Sequence, residues 1–88
     1  MENLEIIRTL AELDDKKNNE EFKVAFFASC FLIEMVADYY ASSCEMTFDM
    51  FLAPLNICVS QLSEKEIYIA NEMYATCKAF IARKQLRD

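Results

Sequence analysis

Along most of the chain, apolar positions recur at helical rather than alternating spacing. Leu4, Ile6, Ile7, Leu10, Ala11 and Leu13 gather on one side of a helical projection, with Glu5, Arg8, Glu12 and Asp15 on the other. This predicts an amphipathic helix over 3–15. The run DDKKNNE (14–20) interrupts the pattern, and Asn18 followed by Glu21 has the form of a capping box with Asn in place of Ser or Thr. A second helix is therefore predicted from about residue 19 to about 43. It contains FKVAFFASCFLIEMVADYY (22–40), which is apolar on nearly every side and holds four of the seven Phe and two of the four Tyr. Lys23, Glu34, Asp38 and Glu45 share one narrow stripe at helical periodicity. Phe27 sits on that stripe, while Phe26, Phe31, Ile33, Val36 and Tyr40 spread around the rest. A helix that is apolar all round has to be covered all round, and so small a chain has little else to cover it with.

The segment SSCEM (42–46) reads as a turn, with Ser43 or Thr47 placed to cap a third helix. TFDMFLAPLNICVSQL (47–62) is mostly apolar, with Pro54 inside it. Proline removes a backbone donor and clashes with the preceding turn. The prediction is a short helix over 47–52 and a second piece from Pro54 to about Leu62. Ser63 and Glu66 form the clearest local signal, an N-cap with its capping-box partner. The last helix then runs to about Leu86, with Ile67, Ile69, Ala70, Met73, Tyr74, Cys77, Phe80 and Ile81 as its apolar face. Its length suits it to lie along the second helix. The expectation is an all-α chain with residues 1–88 as a single domain. It would be a small bundle of four or five helices, with the long second and last helices packed antiparallel. The apolar spacing is not a sustained a/d heptad, so no coiled coil is expected.

Composition agrees with helices. Apolar residues make up 55% of the chain, which argues against disorder, and the absence of Gly with a single Pro argues against β turns. The net charge of -6 is uneven: residues 1–77 carry 5 basic and 14 acidic side chains, while 78–88 carry Lys78, Arg83, Lys84 and Arg87 against Asp88. Phosphate binding wants the opposite overall sign, so direct nucleic-acid binding is not expected, and the basic end reads as helix C-terminal chemistry. The start MENLEIIRTL lacks a basic n-region, and the uncharged runs Val24–Ile33 and Met50–Ser63 are shorter than the ~20 residues a membrane span needs. A cytoplasmic protein without membrane association is the expectation.

The four cysteines, Cys30, Cys44, Cys58 and Cys77, form no CxxC, and the chain has no His. A structural zinc site usually has close ligand pairs, so no metal is expected. The cysteine neighbourhoods are apolar or small, and the thiols are expected as small buried hydrophobes. Without Gly there is no phosphate-cradling loop, and without His there is neither an HExxH site nor a Ser-His-Asp arrangement. Glu34 and Asp38 stand four residues apart and could in principle share a proton or a metal, but a solvated acidic stripe is the simpler reading. No cofactor is expected, and an enzyme using carboxylate or tyrosine chemistry is the weakest of three functional readings. The first is a small acidic helical interaction module, a homodimer serving as inhibitor, adaptor or small chaperone of another protein, with Phe27, Phe31, Tyr39 and Tyr40 as its interface candidates. The second is an acidic nucleic-acid mimic that blocks a basic site on a DNA- or RNA-binding enzyme, presenting Glu34, Asp38, Glu45 and Asp49 together with the acidic side chains of the first helix.

Overall fold

The structure, a computed structural model, describes residues 2–41 and 45–86. The described residues form four α-helices, α1 (Asn3–Glu12), α2 (Glu20–Tyr39), α3 (Phe48–Leu52) and α4 (Glu64–Leu86), with 3-10 turns at Ala53–Leu55 and Val59–Gln61 between the last two. They make an all-α bundle of four helices. α1 stops at Glu12, three residues before the expected boundary, and residues 13–19 turn the chain. The cap of α2 is Asn19 rather than Asn18: its side chain accepts from the Glu21 N–H at 2.7 Å, in the first turn of the helix. α2 ends at Tyr39, short of 43. Thr47 caps α3, its hydroxyl accepting from the Met50 N–H at 3.2 Å, while Ser43 lies outside the described residues. The piece expected from Pro54 to Leu62 is not one helix. Asn56 adopts a left-handed conformation (φ 59°) that closes the first 3-10 turn, and the chain restarts at Val59.

Cap chemistry at α4 follows the sequence. The Ser63 hydroxyl accepts from the Glu66 N–H at 3.3 Å, and the Ser63 N–H donates to Glu66 Oε1 at 2.9 Å. Two otherwise unpaired donors at the helix start are thereby satisfied. Glu66 also reaches Arg8 on α1 at 3.7 Å, which ties the end of α1 to the start of α4.

α2 and α4 pack on one another along their length, and both pack on α1. The direction differs from the expectation. Phe22 of α2 lies near Ile69 of α4, the Cys77 thiol donates to the Ile33 carbonyl at 3.6 Å, and Asp38 meets Lys84 at 2.6 Å. Partner numbers rise together, so α2 and α4 run the same way. A pair of opposed helices touching at Ile33 and Cys77 would hold Asp38 and Lys84 more than ten angstroms apart, given a rise of about 1.5 Å per residue. α1 is the opposed element: Arg8, near its end, meets Glu66 at the start of α4. Residues 45–63 make the parallel arrangement possible by travelling back down the bundle, from Met46, against Tyr74, to Leu55, whose carbonyl accepts from Asn3 at 3.2 Å.

The main core joins Ile7, Val36, Phe51, Leu52, Leu55 and Cys77, all fully buried, to Ile33, Met73 and Ile81. A smaller cluster of Ile6, Leu10 and Ala25 lies between α1 and α2. The described residues span 39 × 27 × 19 Å. Among the described residues α2 packs on α1 and α4, and its buried positions fall on one side. Among the described residues no helix is long and apolar enough to cross a membrane.

Candidate functional site: the outer face of α2

α2 turns the usual amphipathic pattern inside out. Its buried positions are Ala25, Ser29, Ile33, Val36 and Ala37, mostly small. Small side chains let the backbones of α1 and α4 approach closely. Ser29 adds no unpaired polar group, because its hydroxyl donates to the Phe26 carbonyl one turn earlier, at 2.6 Å. The large side chains are left to the other side. Phe27, Phe31 and Tyr39 are 67%, 72% and 71% exposed, and Val24 and Met35 stand about half exposed on the same stripe.

Val24, Phe27, Phe31, Met35 and Tyr39 follow one another at spacings of three or four residues, which places them on one helix face. With a rise of about 1.5 Å per residue the stripe is roughly 22 Å long. Scattered exposed apolar residues are normal, but a contiguous aromatic stripe on the exposed side of a helix is the kind of patch that marks an interaction surface. Phe26 widens it. Its ring stacks on Phe22 at 6.3 Å, meets Phe27 edge-on at 6.5 Å, and borders a groove shared with Cys30, Tyr68, Glu72 and Met73.

Of the residues picked out from the sequence for the interface, Phe27, Phe31 and Tyr39 stand on this face. Tyr40 does not. It is half-buried against the core, edge-on to Tyr39 at 4.8 Å, and its hydroxyl donates to the Met50 carbonyl at 2.8 Å. Val24 and Met35 were not singled out from the sequence. The signal was the run of small residues at 25, 29 and 37, which marks the opposite side of the helix as the packed one.

The four acidic candidates do not gather into one carboxylate surface. Glu34 and Asp38 lie beside Arg83 and Lys84, Glu45 lines a shallow hollow with Lys78 and Gln85, and Asp49 lines a different hollow with Asn56 and Cys58. Basic side chains of α4 therefore interrupt the acidic ones.

The cysteines separate into two kinds. Cys77 is fully buried, as expected, and burial pushes its thiol from 9.0 up to about 11. Cys30 and Cys58 are free and exposed, contrary to the expectation of buried thiols, because Cys30 falls on the outer half of α2 and Cys58 on the irregular segment between the 3-10 turns. Cys44 lies outside the described residues. Among the described residues, no three His, Cys, Asp or Glu side chains come together as a metal site requires. No known family model matches this chain, and neither any curated protein nor any solved structure is significantly similar to it.

Proposed function

We infer that this chain is a protein-binding module with no chemistry of its own, working by laying the outer face of α2 against another protein as its inhibitor, adaptor or small chaperone. The observation that carries this reading is the five-residue apolar stripe on the side of α2 that no other described residue covers. Covering a large apolar side chain is worth roughly 1.5–3 kcal/mol. A partner that takes up the stripe gains this several times over, and the monomer forgoes it. Self-association is the simplest assembly that meets the same need. The acidic-mimic reading is weaker, because Arg83, Lys84 and Lys78 stand among the carboxylates it would use.

The test is capture from native-host lysate, with nuclease present, by the wild-type chain and by a Phe27→Ser/Phe31→Ser variant. Both rings are exposed, so the variant keeps its helical circular dichroism. The wild type is expected to hold a specific protein through a salt wash, and the double variant to lose it by tenfold or more, on the order of what two aromatic contacts supply. Equal retention by a folded variant would remove the α2 face from consideration. Release of the wild type's partner by moderate salt would favour the acidic reading instead.

A further inference from the structure

We propose that the partner of the α2 face is a second copy of this chain, with the two α2 helices antiparallel about a two-fold axis level with Ala28 and Ser29, so that Lys23 of each copy meets Glu34 of the other. The proposal rests on the reading of this face as a protein-binding surface and names its occupant.

Charge along the two edges of the stripe supports this arrangement. In an antiparallel pair about a two-fold axis, each edge of the helix face meets the same edge of the copy. Residues face one another where their numbers sum to about 58. The uncharged run Val24–Ile33 is centred on that axis and so lies against itself, as a symmetric interface requires. Phe27 then meets Phe31 of the copy, and Val24 meets Met35. Lys23 and Glu34 stand on one edge, three helical turns apart, and fall opposite each other twice by symmetry. On the other edge Glu21 falls opposite Tyr39, a carboxylate against a phenol donor. Glu20 arrives beside Asp38 of the copy, where Lys84, held 2.6 Å from Asp38, supplies the cation. In a parallel pairing the two-fold axis would run along the helices and each edge would meet the opposite edge of the copy, so Lys23 and Glu34, which share one edge, could not pair with one another.

Area is sufficient for a weak dimer. Aromatic side chains bury 150–250 Å² each. With Val24 and Met35, the stripe leaves on the order of 600 Å² of apolar surface open per copy, and two copies would cover on the order of 1,200 Å², the lower edge of stable interfaces. The same face cannot hold another protein at the same time, so binding one requires the pair to open.

The experiment is sedimentation equilibrium of the wild type, K23E, E34K and the K23E/E34K double variant under reducing conditions. Circular dichroism confirms folding, and F27S/F31S serves as the face-disrupting control. The expected result is a concentration-dependent dimer that F27S/F31S abolishes. Each single reversal should weaken it about tenfold, because two exposed ion pairs become two repulsions. The double reversal should restore it, and an equimolar mix of K23E with E34K should pair more tightly than either alone. A wild type that stays monomeric at about 100 μM would overturn the second copy as occupant, while capture of another protein would still stand. A dimer lost in F27S/F31S but indifferent to all the charge variants would overturn the antiparallel register. A dimer untouched by F27S/F31S would place self-association elsewhere on the molecule and count against the α2 face altogether.

Discussion

Cys77 shows what a single position contributes. Its side chain is fully enclosed between α2 and α4, with the Ile33 carbonyl as acceptor for the S–H. Burial penalises the thiolate, so the folded chain holds the proton up to about pH 11, whereas the unfolded chain releases it near 9.0. Above pH 9 the unfolded state therefore binds fewer protons than the folded one, and stability falls with rising pH until the folded thiol also ionises near 11. The full effect is about two pH units of linkage, or roughly 2–3 kcal/mol. The difference in unfolding free energy between the wild type and Cys77→Ala, measured by urea titration, should shrink across pH 9–11 and be flat from pH 6 to 8. A difference that stays constant through pH 11 would show that the thiol is not desolvated. The sequence could not separate this cysteine from Cys30 and Cys58. SCF and ICV are more apolar neighbourhoods than TCK, yet flanking residues on a helix point elsewhere, and the side a residue faces is set by packing partners distant in sequence.

Elements were most legible where their signals are local. The Ser63–Glu66 box depends on residues three apart and is formed as the sequence indicates. Ser63→Ala should cost about 1 kcal/mol, lowering the melting temperature by about 4–8 °C in a domain this small. Differential scanning calorimetry measures this directly, and an unchanged melting temperature would mean that packing of α4 alone sets its start. At α2 the same reasoning was displaced by one residue, because two adjacent asparagines can each serve and only the turn that enters the helix selects Asn19. The larger surprise at this scale is which side of α2 faces in. Periodicity showed apolar residues around most of its circumference and could not rank the sides. Close approach ranks them: α1 and α4 lie against Ala25, Ser29 and Ala37, and the rings of Phe27 and Phe31 would hold those helices apart. The face open to a partner thus follows from the small residues on the other side.

The direction of the bundle is a property of the whole chain, and it turns on residues 45–63. Antiparallel packing of α2 and α4 is the natural reading when only their lengths and faces are known, because a short link between two helices returns the chain on itself. Here the link is long enough to travel back, and two tyrosines tether it. The Tyr74 hydroxyl donates to the Met46 carbonyl at 2.7 Å, with its ring edge-on to Phe48 at 5.6 Å. Tyr40 supplies the second tether, and Pro54 explains its acceptor. An α-helical bond to the Met50 carbonyl would come from the N–H of residue 54, which proline lacks. α3 therefore ends, and the Tyr40 hydroxyl takes that carbonyl at 2.8 Å. Tyr40→Phe keeps the ring in its packing but leaves the partly buried carbonyl without this donor, so it should cost about 1–2 kcal/mol in urea unfolding. Tyr39→Phe, one residue away on the exposed face, should cost almost nothing at protein concentrations low enough to hold the chain monomeric. If the two substitutions prove equally mild, the Tyr40 bond does not hold the returning segment, and the Tyr74 bond with the apolar packing of Phe51, Leu52 and Leu55 does. If Tyr40→Phe alone is costly, the sharp break at Pro54 and the parallel course of the two long helices share one cause: a carbonyl that proline frees and the end of α2 satisfies.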